Sequence, residues 1–311
     1  MKVPLPAAPA ADAILMAERL KRAAGCVDDA LDALLSGLSL EPRLVAAMKH
    51  GTLAGGKRVR PALVLETAAL FGPPASGLVE AAAALELIHA FSLVHDDLPA
   101  MDDDALRRGQ PTVHIAYDEA SAILAGDGLH ALAFALLSGG QTAELDPALR
   151  LDLIDALARG TLSMISGQMR DLAAEGRFAT ERPALTLEGV VGIQSEKTGA
   201  LIAAAVDIGA RIGGAGQDER RALGDYAARL GLAFQISDDL LDIAATAEEA
   251  GKATGKDAGA GKGTFVSLLG EDGATARLEE EIAAGLAALA RLPAPAPFHA
   301  WLIGEMKGRR R

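Results

Sequence analysis

The chain has 311 residues, half of them apolar but only 3% aromatic, so its core must rest on aliphatic and alanine packing. A formal charge of −12 excludes nucleic acid as a general partner and requires any site for an anionic ligand to be made locally, against the field of the whole molecule. The single Cys26 excludes an internal disulfide and a cysteine-based zinc site, and fits a reducing compartment.

Residues 1–25, MKVPLPAAPAADAILMAERLKRAAG, show neither a basic stretch leading into an apolar block nor a run of bilayer length. This predicts a soluble cytoplasmic protein with no stable membrane association. Apolar positions at helical spacing predict helices over about residues 12 to 36, Pro61 to Leu70, Gly77 to Asp97, Tyr117 to Leu137, Pro147 to Ala174, Thr186 to Ile212, Gln217 to Ile243 and Thr275 to Ala290. Runs of alternating β-branched residues are nearly absent, so strands gain little support. ALIAAAVDIGARIG is apolar round most of its circumference and reads as a central helix of a large bundle. FGPPASG, SGGQTAELDP, ATGKDAGAGKG and LPAPAP read as loops. No composition shift divides the halves and no solenoid repeat appears, which predicts one all-α domain across residues 1–311.

Two acidic clusters carry the chemistry. HDDLPAMDDD, residues 95–104, packs five carboxylates into ten residues directly after the apolar AAAALELIHAFSLV. Asp96 and Asp102 are six apart, which on a straight helix points them to largely opposite sides. Pro99 breaks or bulges the helix there, and such a distortion brings Asp102 back beside Asp96. At the C-terminal end of a helix the macrodipole adds further negative potential, so only cations stabilise the arrangement. In AFQISDDLLD, Asp238 and Asp242 are i and i+4 neighbours whose side chains leave one face about a turn apart, with Asp239 between them. No cysteine or histidine cluster accompanies these carboxylates and no calcium loop appears. Magnesium, completed by water and substrate phosphates, fits best, and two such helices facing each other would grip a diphosphate.

The matching cations are sparse. GGKRVRP supplies Lys57, Arg58 and Arg60, LRRGQPTVH supplies Arg107 and Arg108, and SEKTGAL supplies Lys197 and Thr198 at a glycine-containing point of an apolar helix. GKATGKDAGAGKGTF adds Lys252, Lys256 and Lys262, and the chain ends in KGRRR. GAGKGT lacks the spacing and the preceding strand of a P-loop, so a nucleotide site is rejected.

In order along the chain, GGKRVRP, IHAFSLVHDDLPAMDDDALRRG, ILAGDGL, GQMRDL, EKTGAL, FQISDDLLD and GKGTF resemble the trans-prenyl diphosphate synthases, most closely the bacterial farnesyl diphosphate synthases. The resemblance implies the all-helical isoprenoid-synthase fold, a bundle of about ten or more helices around a central cavity, and a homodimer. It implies condensation of isopentenyl diphosphate with an allylic diphosphate, dimethylallyl or geranyl. By position it makes Asp96 and Asp102 ligands of two magnesium ions with Asp97 in support, and Asp238 a ligand of a third with Asp242 assisting. Arg107, Lys197 and Lys252 would clasp the allylic diphosphate with Gln235 nearby. Lys57, Arg60, His89 and Arg108 would hold isopentenyl diphosphate, while Thr198 and Lys197 border the reacting carbons and Gln168 lies close. The glycine-rich loop after Asp242 and the Arg309–Arg311 tail would close over bound anions.

Phe91 lies five residues before Asp96, just over one helical turn. A ring there would floor the cavity for the growing tail and favour a C15 product over C20. In the resembling enzymes this position, with Ser92 beside it, belongs to the determinants of chain length. Ala105 and Val266 depart from the usual pattern of these enzymes without removing a ligand. A geranylgeranyl synthase would differ in cavity depth. A terpene cyclase would carry more aromatics than seven Phe, two Tyr and one Trp. A non-catalytic subunit would not keep both acidic clusters together with Lys57, Arg107, Arg108 and Lys197.

Overall fold

A computed structural model of the chain describes residues 10–73, 75–178, 185–250 and 264–308. The described residues are almost entirely helical and fall into two compact units, Met1–Leu157 with Ile208–Gly214, and Ala158–Asp207 with Ala215–Arg311.

The first unit holds α1 (Ala10–Ser36), α2 (Pro42–Leu53), α3 (Val59–Ala68), α4 (Leu78–Asp96), α5 (Val113–Ala116) and α6 (Glu119–Ser138). Its core is α4, whose residues from Ala81 to Ile88 are buried and which packs on α6, α3, α1 and α2. A run of alanines makes this possible, because small side chains let four neighbours approach one helix. Glycines do the same locally: on α6, a Cβ at Gly126 would overlap the His95 ring. Both α4 and α6 are long and apolar enough to cross a membrane, and in α4 that composition is that of a buried core helix.

The second unit holds most of α7 (Pro147–Ala174), then α8 (Leu187–Gln194), a π-helical turn (Ser195–Gly199), the start of α9 (Ala200–Gly213), α10 (Gln217–Ala250), α11 (Phe265–Leu289) and α12 (Pro297–Gly304). Its main pairing is α10 on α11. Buried Tyr226 donates to the His299 carbonyl (2.9 Å), and buried Glu281 accepts from Arg229 (3.1 Å) and Arg277 (2.8 Å).

The predicted helices are present, and the differences have local causes. Helices α2 and α12 begin with a proline in the first turn, where its missing N–H costs nothing, so the last proline of LPAPAP starts a helix rather than closing a loop. The Glu41 side chain caps α2 by accepting from the Leu44 amide (2.8 Å). Helix α11 starts at Phe265 rather than Thr275, and Gly270 (φ 71°) interrupts it. A short hairpin, β1 (Leu106–Arg107) and β2 (Gln110–Pro111), sits where no strand was expected. The loop ATGKDAGAGKG, with Lys256 and Lys262, lies outside the described residues, as does Lys252 just before it.

Candidate active site

Helix α4 ends at Asp96, and the chain doubles back immediately. The Asp102 amide donates to the Asp96 carbonyl (2.8 Å), Asp103 to Leu98 (3.2 Å) and Asp104 to Asp97 (3.2 Å). These bonds satisfy carbonyls that a helix end leaves open, and the break around Pro99 returns residue 102 to residue 96. Asp103 takes a left-handed conformation (φ 54°) to complete the reversal. Asp97 is turned elsewhere. Its buried carboxylate accepts from Arg107 Nε (2.6 Å), and Nη2 of the same guanidinium lies 2.5 Å away. Burial raises the Asp97 pKa, with Arg107 opposing.

The hairpin sets the basic residues. Its two-residue turn, Arg108–Gly109, has both residues at positive φ (53° and 76°), as the twist of a tight hairpin demands. Buried Thr112 ties the hairpin to the acidic loop by donating to the Asp104 carbonyl (2.8 Å). Arg108 donates to the Gly55 carbonyl, and Gly56, at φ 130°, leaves the space that its guanidinium fills. Arg58 is buried with Nε on Asp28 (2.8 Å), Nη1 on Glu86 (2.5 Å) and Nη2 on the Thr52 carbonyl (2.7 Å). It organises the GGKRVRP turn from below. Arg60 Nη1 lies 3.3 Å from His89 Nε2. Desolvation first, and then Arg60, Arg108, Arg58 and Arg107, hold His89 well below 6.5, so the ring is neutral at pH 7 and can accept from Arg60. Lys57, the residue before Arg58 in the chain, is exposed.

In the second unit, Asp238, Asp239 and Asp242 lie on an unbroken stretch of α10. Asp238 is part-exposed and Asp242 exposed, whereas Asp239 is buried. Asp239 Oδ1 accepts from Gln235 Nε2 (3.0 Å), and Oδ2 accepts from the Phe265 amide at the start of α11 (2.8 Å). Burial raises its pKa. Gln235 Oε1 in turn accepts from the Thr198 hydroxyl (3.3 Å) on the π-helical turn. Lys197, on the same turn, contacts Asp171 (2.6 Å) from GQMRDL. π-Helical turns widen a helix by one residue and recur at functional sites. Here two glycines admit the widened backbone. A Cβ at Gly167 would overlap the Lys197 nitrogen, and one at Gly231 would press on Gly199 Cα (2.9 Å). Both polar atoms of the Gln168 side chain are buried without a hydrogen-bond partner.

Within the first unit the structure therefore gathers Asp96, Asp97, Asp102, Arg107, Arg108, Arg60 and His89. Within the second it links Thr198, Gln235 and Asp239 by hydrogen bonds and Lys197 to Asp171, with Asp238 and Asp242 on the same helix as Gln235 and Gln168 on the helix that carries Asp171. Phe91 packs edge-on against His95 (5.1 Å) and against His130 of α6 (5.0 Å), and the Ser92 hydroxyl donates to the His89 carbonyl (2.9 Å). Lys252, Lys256, Lys262 and Arg309–Arg311 lie outside the described residues. The sequence reading missed the supporting acids Glu86, Asp28 and Asp171, and the ring of His130 behind Phe91. Glu86 carried a usable signal, since a single acid within AAAALELIHAF must find a buried partner.

The polyprenyl synthetase family model matches residues 41–287. The chain belongs to the polyprenyl synthetase family. It is 44% identical over 261 residues to farnesyl diphosphate synthase of Geobacillus stearothermophilus, covering 83% of this chain and 86% of the relative. It is 47% identical over 232 residues to farnesyl diphosphate synthase of Escherichia coli (strain K12), covering 73% and 75%. Among solved structures it is similar to an FPP/GFPP synthase from Zymomonas mobilis in its apo form, with a TM-score of 0.82, 39% identity, and 94% and 98% of the two chains covered.

Proposed function

We propose that this protein is a short-chain prenyltransferase that condenses isopentenyl diphosphate with dimethylallyl or geranyl diphosphate to give farnesyl diphosphate, as a cytoplasmic homodimer. The observation that carries this reading is electrostatic. In a chain of net charge −12, Arg60 lies 3.3 Å from His89, and Arg107 and Arg108 stand on the hairpin that follows an acidic loop folded back on itself, with Arg107 on Asp97 of that loop. Such a pairing of opposite fields suits an anion that brings metal ions with it. A second copy of the chain would cover the apolar face at Ile115, Ile123 and Leu124, which are 54%, 45% and 59% exposed.

The donor set fits magnesium. The candidate ligands Asp96, Asp102, Asp238 and Asp242 offer only oxygen, and among the described residues no three acidic, histidine or cysteine side chains converge into a cage. A metal that keeps waters and takes substrate phosphates suits so sparse a set, and three ions are expected with diphosphate bound. When bound, magnesium draws charge from the departing diphosphate.

The side chains would do the rest. Arg107 and Lys197, with Lys252, hold the allylic diphosphate and favour its departure as the C–O bond ionises. Lys57, Arg60, Arg108 and His89 hold isopentenyl diphosphate so that its double bond meets the allylic cation. The Thr198 hydroxyl and the Gln235 amide oxygen present polar groups near the reacting carbons, and the buried Gln168 amide would find its partner in substrate. The released diphosphate takes the final proton. Phe91, backed by His130, limits the tail to C15.

Product analysis of the purified protein with magnesium, isopentenyl diphosphate and each allylic primer tests this. A C15 product from both primers, with farnesyl diphosphate left unextended, is the expected result. A C20 product would discard the Phe91 floor, and absence of any elongation would discard the activity.

A further inference from the structure

A buried acid stands among the cations of the first unit, where its charge opposes an anionic ligand. The Glu86 side chain is 3% exposed and that of its partner Arg58 is 2% exposed, so water screens neither. Glu86 lies three residues before His89 on α4, on the neighbouring turn, and His89 Nε2 is 3.3 Å from Arg60 Nη1. A carboxylate at that place repels a diphosphate through its field. Its use must lie elsewhere.

Arg58 shows what that use is. Its guanidinium reaches three helices: Nε donates to Asp28 on α1 (2.8 Å), Nη1 to Glu86 on α4 (2.5 Å) and Nη2 to the Thr52 carbonyl near the end of α2 (2.7 Å). The last bond closes the chain from Thr52 to Arg58 into a loop. Arg58 itself is left-handed (φ 48°), and its carbonyl accepts from the Ala62 amide (3.0 Å) as α3 begins. Inside the loop are Gly55, whose carbonyl accepts from Arg108, and Gly56, against which the Arg108 guanidinium packs. Two residues beyond it is Arg60. One side chain therefore closes the loop on which Arg108 is seated and from which Arg60 projects, and Glu86 pins that side chain to α4.

We infer that Arg58 and Glu86 are positioning residues that raise the affinity for isopentenyl diphosphate by fixing Arg60 and Arg108 in place, Glu86 doing so against the sign of its own charge. The inference deepens the proposed function and rests on it for the ligand of Arg60 and Arg108. Guanidinium groups already held in place need little ordering when the anion arrives. A lysine at 58 keeps the charge, but one ammonium cannot reproduce a planar fork aimed at α1, α2 and α4. Asp28 matters less, because its side chain is 42% exposed and water can replace it.

The test uses the full-length protein and two readouts. The first is steady-state kinetics with KM measured for each substrate. The second is calorimetric titration with isopentenyl diphosphate in the absence of magnesium, so that only the cationic groups are read. Glu86→Ala should raise KM and Kd for isopentenyl diphosphate by about tenfold or more, whereas its field alone would lower both. Arg58→Lys should do the same with the charge retained. Asp28→Asn should stay within about threefold of wild type, and KM for the allylic substrate should stay within about threefold in all three variants. In an Arg58→Lys background, Glu86→Ala should add less than about twofold, because the two act as one unit. A simple loss of folded protein would lower kcat and leave both KM values unchanged.

Tighter binding of isopentenyl diphosphate by Glu86→Ala would overturn the inference, as would wild-type affinity in Arg58→Lys or an equal rise in both KM values. If Glu86→Ala does not fold, Arg58→Lys decides. A wild-type enzyme that elongates, beside variants with unchanged affinity, would discard the inference and leave the activity standing. A wild-type protein that binds isopentenyl diphosphate but never elongates would sink the proposed activity, and the titrations would still decide the role of Arg58 and Glu86.

Discussion

The two acidic clusters, proposed to share one chemistry, are built by different routes. The second lies along one intact helix, where the 3.6-residue period alone brings Asp238 and Asp242 to one face. The first lies past a helix end and exists only because the backbone amides of residues 102 to 104 return to carbonyls of Asp96, Asp97 and Leu98. One site is therefore local in origin and the other depends on a reversal held in place by the hairpin through Thr112. A pair of carboxylates six residues apart is no weaker a signal than a pair four apart, but it needs a break to become a site.

The largest expected effects treat the clusters alike. Asp96→Ala and Asp238→Ala should each lower turnover by at least about a hundredfold while leaving the far-ultraviolet circular dichroism unchanged. Near wild-type rates in either variant would withdraw the proposed metal-binding role from that cluster.

Next comes a change confined to the second unit. Gly167→Ala drives a methyl group into the Lys197 backbone, so the π-helical turn must shift. An overpacked contact of this kind costs about 1–3 kcal/mol. A displacement near 1 Å at Lys197 should cost up to about a hundredfold in turnover. Thermal melting and kinetics together check this, and unchanged values in both would mean that the turn tolerates a side chain there.

Phe91→Ala leaves both clusters intact and should alter the product rather than the rate. The ring it removes is the one packed on His95 and His130. Longer products by chromatography are the expected outcome, and an unchanged C15 product would take the chain-length role away from Phe91.

The smallest effect belongs to the first unit. His89 is held below the 6.5 of an ordinary imidazole, so between the two values the unfolded chain binds a proton that the folded chain does not. Its contribution to stability is present above pH 6.5 and is lost as the pH falls. The melting temperature should therefore decline on acidification below about pH 6.5, and His89→Gln should flatten that decline. An identical pH profile in the variant would show that His89 is not held neutral by its arginine neighbours.

Much of this protein was readable in its residues because helical periodicity is local. The span of α7, the burial of α4 and the shared face of Asp238 and Asp242 all follow from the order of apolar and polar residues along a 3.6-residue turn. Pro99 likewise marked where the first cluster must break. The misses were of another kind. Helices α2 and α12 hid behind prolines that start helices as readily as they end them, and the hairpin turn at Arg108–Gly109 is too short to leave a β pattern.

What the sequence determined by itself is the all-α class and the inventory of carboxylates and cations. Only the tertiary structure decided which of those charges are committed within the protein. Arg58 is held by Asp28 and Glu86, Asp97 by Arg107, and Asp239 by Gln235 and the α11 amide. The reason is physical: a charge is consumed or kept available according to which groups share its desolvated surroundings, and those partners come from elements far apart in the chain.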